Sequence, residues 1–233
     1  MTADILSNIN DIANNILTAA ARAGRDARDI KLMAVTKTVA DARIGEALAA
    51  GIMILGENYV QEAARKKPLL EQTENLLEWH MIGHLQTRKA ALAVRLFDMI
   101  ESLDRVELAH EINKRAKAVN RIMQVLIEVN TGEETTKGGV SPAKALELAK
   151  SVAQMENLSL QGLMTIPPWF DDPEKARPYF KCLRELQETI KAAGLPNVQM
   201  QELSMGMTDD YLVAIEEGST LVRIGRGIFG ERH

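Results

Sequence analysis

The sequence predicts an α/β chain folded as a single (β/α)8 barrel with one extra helix at its N-terminus. Three observations carry this. Eight short apolar runs recur along the 233 residues, each followed by a stretch of helical periodicity. Eight is the strand number of that barrel, and the length lies near the small end of its range. No glycine-rich dinucleotide turn follows the first run, which disfavours a doubly wound sheet built on the same alternation. No linker, low-complexity tract or repeat beyond the strand–helix unit breaks the chain, so residues 1–233 read as one domain.

The elements follow in order. Leu6, Ile9, Ala13, Ile16, Leu17 and Ala20 have helical spacing over 4–23, with a polar opposite face. Strands are expected at 31–36, 52–55, 78–82, 97–101, 122–129, 158–165, 198–203 and 220–224. Several helices announce their ends. Ser141-Pro142 reads as an N-cap with proline at the first helical position. Asp104 to Glu107 has capping-box spacing. Thr208-Asp209-Asp210 offers a hydroxyl cap and acids suited to a helix's positive end. Gly51, Gly194 and Gly218 each follow a helix as left-handed C-caps. Pro178 divides 173–193 into a short turn and a main helix.

The bulk numbers exclude some functions. Hydrophobic residues are 46% and charged residues 26%, ordinary for a soluble protein. A net charge of −4 disfavours binding to a nucleic-acid backbone. No apolar run reaches membrane-spanning length, and "MTADILSNINDIANN" lacks the basic start of a secretory signal. Cys182 is the only cysteine, which excludes an intramolecular disulfide and suits a reducing cytoplasm. His80 and His84 are four apart but straddle a strand end, so no metal site is expected. His80 itself reads as packed and hydrogen-bonded.

In such a barrel the C-terminal strand ends build the active site. Lys37 follows the first strand, and Glu57 and Asn58 the second. Glu101 and Ser102 end the fourth, Glu128 the fifth, and Met164 and Thr165 the sixth. The seventh ends "ELSMGMTDD" and the eighth "VRIGRGIFG". Ser204 to Gly206 and Gly225 to Gly227 offer a hydroxyl, N–H groups and close approach, as a phosphate cup needs. The bland alternative is a pair of turns that close the barrel. A desolvated Lys37 amine can attack a carbonyl and hold it as a Schiff base. A cation at a helix start is disfavoured by about 0.3–1 kcal/mol, so solvation alone explains Lys37 poorly. Lysine facing a phosphate cup points to a phosphorylated aldehyde. Arg223, inside an apolar strand, must be paired, for instance with Glu202, or aimed into the barrel mouth at a ligand's ring nitrogen. Trp169 either covers one side of that mouth or packs on the next helix.

Six stretches, "LMAVTKT", "GENYVQE", "WHMIGHLQ", "GLMTIPP", "LSMGMTDDY" and "VRIGRGIFGER", run in this order from residue 32 to 232. Together they resemble the pyridoxal phosphate homeostasis family, related in fold to the N-terminal barrel of alanine racemase. The resemblance implies a barrel of the type III class of pyridoxal-phosphate proteins. It implies that Lys37 carries pyridoxal 5′-phosphate as a Schiff base, with the phosphate on Ser204 and the backbone of Gly225 and Arg226. Arg223 would face the pyridine nitrogen and Asn58 the ring hydroxyl, with Met164 and Gly206 in the same cofactor-binding set. Two departures stand out: Arg226 where the family often has threonine, and Arg88-Lys89 where it often has asparagine-lysine. An arginine at the ring nitrogen cannot accept its proton, which makes the cofactor a weaker electron sink.

The resemblance implies a cofactor carrier that buffers pyridoxal phosphate and delivers it to apo-enzymes. The lone Cys182 suits the cytoplasm, and without a racemase-like second domain and its dimer contacts a monomer is expected. The alternative is a racemase, which needs proton-exchanging groups on both faces of the substrate. Alanine racemase takes one of these, a tyrosine, from a second domain of a partner subunit, and this chain has no length left for such a domain. Tyr59 and His84 are the substitutes to consider. A third reading, a Schiff-base aldolase, would use Glu57 or Glu128 as its acid.

Overall fold

The computed structural model describes residues 4–70 and 77–231. Arg232, the last residue of the sixth stretch, and His233 lie outside the described residues. Eight parallel strands close into one barrel in sequence order. They are β1 (Lys31–Val35), β2 (Ile54–Glu57), β3 (Glu78–Met81), β4 (Met99–Leu103), β5 (Met123–Glu128), β6 (Leu158–Met164), β7 (Val198–Ser204) and β8 (Leu221–Ile224). The helices are α1 (Ile5–Arg22), α2 (Asp41–Ala49), α3 (Val60–Leu70), α4 (Ala90–Leu96), α5 (Val106–Ala118), α6 (Pro142–Ala153), α7 (Arg177–Ala192), α8 (Tyr211–Glu216) and α9 (Arg226–Phe229). The ring closes where β8 pairs with β1, with Met33 opposite Arg223.

The expected α1 forms, but its buried stripe is Ile5, Ile9, Ile12, Ile16 and Ala19, while Leu6 and Leu17 are exposed. The helix turns the face with regular i, i+4, i+7 spacing inward. It is tied to the barrel's end by Asn8 Nδ2, which donates to the Ile228 carbonyl at 2.9 Å, and by Asn15 Nδ2, which donates to Tyr211 Oη at 3.1 Å. β2 and β4 begin two residues later than expected, which brings Glu57 and Ser102 into strands and leaves Glu101 mid-strand rather than at its end. Ile52 and Phe97 are buried loop residues ahead of those ladders, and an apolar run reports burial, not pairing.

The caps differ in detail. Ser141 and Pro142 do open α6, although the serine side chain makes no capping bond. Asp104 is no cap: α5 starts at Val106, and the Asp104 carboxylate turns to Arg105 and, at 3.5 Å, to His84. α8 starts at Tyr211, later than the threonine cap implies. Thr208 Oγ1 instead accepts from the Gly227 N–H at 3.2 Å, and Asp210 accepts from the Met207 N–H at 2.6 Å. Both bonds fix the loop after β7. Gly51, Gly194 and Gly218 take positive φ after α2, α7 and α8. Pro178 lies in the first turn of α7, behind a 3-10 turn at Pro173–Ala176.

Successive strand residues point to opposite faces. Ala34, Leu55, Trp79, Ile100 and Val125 pack in the large core that also takes in the helices. The alternate positions fill the barrel. Met33, Ile54 and Leu221 form one small cluster there, and Met99, Leu126 and Met164 another. Sharing that inward parity are four buried polar residues: His80, Glu101, Ser204 and Arg223.

Candidate functional site

Closure of β8 on β1, beside β7, sets three loops around one cavity of about 370 Å³. Lys37, Met207, Asp209, Arg223, Gly225 and Arg226 all line it. Lys37 is half-buried, in the turn between β1 and α2. It precedes Ala40, the N-cap of α2, by three residues, so the helix-start penalty expected there does not apply.

That turn is tightly held. Thr36 Oγ1 donates to Glu57 Oε1 at 2.7 Å, and the Thr36 N–H donates to the Gly56 carbonyl at 3.0 Å. Lys66, fully buried on α3, donates to the Thr36 carbonyl at 2.6 Å, to Glu57 Oε1 at 2.7 Å and to Glu62 Oε1 at 2.6 Å. Glu62 Oε1 also accepts from the Thr38 N–H at 2.6 Å. Thr38 has φ of +60°, a rare conformation for a β-branched residue. Burial pushes the Glu57 carboxyl above its ordinary pKa, against the pull of Lys66 and Thr36, and its second oxygen has no hydrogen-bond partner among the described residues.

Arg223 is buried at the cavity floor. Its Nη1 donates to Ser204 Oγ at 2.7 Å and its Nη2 to the Thr165 carbonyl at 2.8 Å. A guanidinium has five N–H donors, so capacity remains for a ligand. Glu202 is not its partner. That carboxylate turns instead to Lys31 at 2.5 Å and Thr220 at 2.7 Å. The carboxylate behind Arg223 is Glu101. Ser204 Oγ donates to Glu101 Oε2 at 2.5 Å, and Glu101 Oε1 lies 2.7 Å from His80 Nδ1. Exposed Glu78 stands 3.5 Å from His80 Nε2. Burial works against a charged His80, but bonds to Glu101 and Glu78 outweigh it and raise the pKa to about 9. Burial pushes Glu101 up while His80, Arg223 and Ser204 pull harder, so the carboxyl titrates below its ordinary value.

Of the residues expected to form a phosphate cup, some line this cavity and some do not. Gly225 and Arg226 line the cavity where α9 begins, and the first N–H groups of a helix have no intrahelical acceptor. Gly206 lies beneath, at φ +94°, its carbonyl accepting the Arg223 N–H at 3.0 Å. A Cβ there would stand 2.6 Å from the Ala214 Cβ, so only glycine lets this loop pass under α8. The Ser204 hydroxyl is fully buried and engaged with Glu101 and Arg223, off the cavity wall. Met164 packs inside the barrel. Asn58 borders a second cavity of about 320 Å³ with Tyr59, His84 and Lys89. Gly83 brings these loops together: a Cβ on it would meet the Asn58 carbonyl at 2.4 Å. Trp169 is 70% exposed, in a groove that shares Met207 and Asp209 with the main cavity, while its neighbour Phe170 stacks on Tyr179.

Two groups escape a reading of the sequence. Lys66 sits in "ARKKPLL" like a solvated cation, although Val60, Ala63 and Leu70 set a helical stripe that reaches it. Glu101 looks like a strand-end acid until the pairing of His80 with Met99 places it on the inward row.

A closed parallel barrel with a lysine turn, an arginine floor and a glycine-rich closing loop defines a class, the alanine racemase N-terminal domain family, and the sequence matches that family over residues 7–233. Within the class, this chain belongs to the pyridoxal phosphate homeostasis proteins. The protein of that name from Aquifex aeolicus is 46% identical over 224 residues, covering 96% of either chain. PipY of Synechococcus elongatus PCC7942, solved with PLP bound, superposes with a TM-score of 0.81 at 32% identity, covering 94% of this chain and 100% of that one. The alanine racemase of Clostridium difficile 630 shares the fold, with a TM-score of 0.75 at 16% identity, and is matched over 57% of its own length.

Proposed function

We propose that this chain binds pyridoxal 5′-phosphate, covalently and reversibly through Lys37, and serves in the homeostasis of that cofactor. The observation that carries this is the single cavity lined by Lys37, Arg223 and the Gly225–Arg226 turn. Pyridoxal phosphate supplies an aldehyde that condenses reversibly with an amine. Lys37 offers that amine at a strand end, half out of solvent. Gly225 and Arg226 offer N–H groups for a phosphate. Arg223 offers donors to a ring nitrogen and, as a permanent cation, takes no proton from it. Gly206 and Ser204 hold Arg223 from below, whereas Asn58, expected at the ring hydroxyl, borders the second cavity instead.

The same wall favours a carrier over a racemase. No tyrosine, histidine or cysteine lines this cavity among the described residues, and its two carboxylates, Asp209 and Glu231, both pair with Arg226. Tyr59 and His84 are exposed on the second cavity. Of the two acids an aldolase could use, Glu57 bonds Thr36 and Lys66 through one oxygen, and Glu128 lines a different cavity with Asn130 and Lys137. Delivery to apo-enzymes, a monomeric state and a cytoplasmic location belong to the same proposal and rest on the sequence. No helix among the described residues is long and apolar enough to cross a membrane.

The test is a visible spectrum with added pyridoxal phosphate, before and after borohydride. A chromophore that the reductant fixes onto Lys37, and that Lys37→Ala abolishes, is expected. A parent protein that stays colourless overturns the reading. Loss of optical purity during incubation with single enantiomers of amino acids overturns the carrier role but not the cofactor.

A further inference from the structure

We propose that Lys66 is a positioning residue for Lys37, fixing the direction of its amine by holding the peptide groups on both sides of it. The inference rests on Lys37 being the ligand-bearing amine. Three bonds support it: the ammonium group of Lys66 donates to the Thr36 carbonyl, to Glu57 and to Glu62, each within 2.7 Å, with no solvent exposure. An ammonium has three N–H donors, so none is left over.

Its two carboxylate partners complete the clamp. Glu57 accepts the Thr36 hydroxyl at 2.7 Å, and Glu62 accepts the Thr38 N–H at 2.6 Å. Residue 36 is thus held by its hydroxyl, carbonyl and N–H, and residue 38 by its N–H. Lys37 lies between, with its side chain in the cavity. The left-handed Thr38 shows the clamp at work, since a β-branched residue keeps φ +60° only where its surroundings over-determine it. Packing alone does not require a cation here. Apolar side chains replacing a whole buried ion pair are often as stable or more so, although removing Lys66 alone would strand buried Glu57. The charge supplies what an apolar residue lacks, namely directed bonds to the main chain beside Lys37.

The experiment compares Glu62→Ala, Glu62→Gln and Lys66→Met with the parent, each checked for folding by its thermal melt. Glu62 is 18% exposed at its side chain, so its replacements are the variants least apt to unfold the chain. Glutamine keeps an acceptor for the Thr38 N–H, and alanine removes it. The first readout needs no cofactor: competitive acylation of Lys37 against exposed Lys150 in the ligand-free protein, resolved by mass spectrometry. The second is the rate at which borohydride-fixable pyridoxal phosphate accumulates on Lys37. Glu62→Ala and Lys66→Met are expected to slow that capture about tenfold and to change relative acylation of Lys37 about threefold, as misplacement of a reacting group does. Glu62→Gln stays close to the parent in both. A folded Glu62→Ala with parent-like acylation and capture overturns the proposal. If the parent itself fixes no pyridoxal phosphate on Lys37, the cofactor reading falls, and the ligand-free acylation still decides the role of Lys66.

Discussion

Two buried ionic clusters lie beneath the cavity, and they are built on opposite plans. The one around Lys66 is local in sequence, drawn from Thr36, Thr38, Glu57, Glu62 and Lys66, and places one cation between two carboxylates. The one inside the barrel joins distant strands, from His80 on β3 through Glu101 on β4 and Ser204 on β7 to Arg223 on β8. It places one fully buried carboxylate between two cationic groups. The first spends its bonds on main chain and so fixes a turn. The second runs from side chain to side chain and so aims one guanidinium. The Lys37 turn and the Arg223 guanidinium are therefore held by independent devices, and each can be broken without touching the other.

The largest effect is expected where compensation is least. Glu101→Gln leaves His80 and Arg223 without their shared counter-ion, and losing one partner of a buried pair costs about 3–5 kcal/mol. Urea unfolding should show a larger loss than for Glu62→Gln, where Glu57 still compensates Lys66. The pH dependence sharpens the contrast. The His80 pKa is raised from 6.5 to about 9, so its contribution is complete below about pH 6.5 and is lost as pH rises through about 9. That alkaline loss should largely vanish in Glu101→Gln. A parent whose stability stays flat across this range would show that the barrel chain is not ionic.

A smaller effect of opposite sign is expected at Glu128, at the end of β5, whose carboxyl feels the charge of Arg223. Burial first, and Asp104 second, raise its carboxyl to about 7 against the pull of Arg223. A carboxyl raised on folding stabilises the protein at low pH, and that contribution is lost as pH rises from its ordinary value through about 7. Glu128→Gln should therefore stabilise the protein by up to about 3 kcal/mol above neutrality and change little in acid. Equal melting temperatures for parent and variant in alkaline buffer would mean that Arg223 fully offsets the burial.

The sequence makes one of these plans more readable than the other. Strand number, the N-terminal helix and the strand-end positions of Lys37, Arg223, Gly225 and Arg226 all follow from periodicity and from lone polar residues beside apolar runs. Boundaries slip where Ile52 and Phe97 are buried outside the ladders. Lys66 carries a local signal, a cation on an apolar helical stripe, that is easily read as surface. The Glu101 chain carries none, because its members meet only through the inter-strand register, which a periodicity argument does not supply.

The weakest link, and the last to test, is the pair at the cavity rim, where Arg226 Nη2 meets the two Asp209 oxygens at 2.5 and 2.7 Å. Both side chains are nearly half exposed, so breaking the pair should shift stability by only about 0.2–1 kcal/mol. Its effect on the ligand is the sharper measure. If the cup receives a phosphate, Asp209 competes with that phosphate for Arg226. Arg226→Ala should then weaken retention of pyridoxal phosphate, and Asp209→Asn should strengthen it, each by about fivefold, on the order of 1 kcal/mol. Titration by absorbance at low and high salt would measure both, with the difference shrinking as salt screens the rim. The opposed signs are the point. A pair that merely braces the loops after β7 and β8 would weaken binding in both variants, and the rim would then join the Lys66 turn as scaffold, leaving the backbone N–H groups of Gly225 and Arg226 to hold the phosphate.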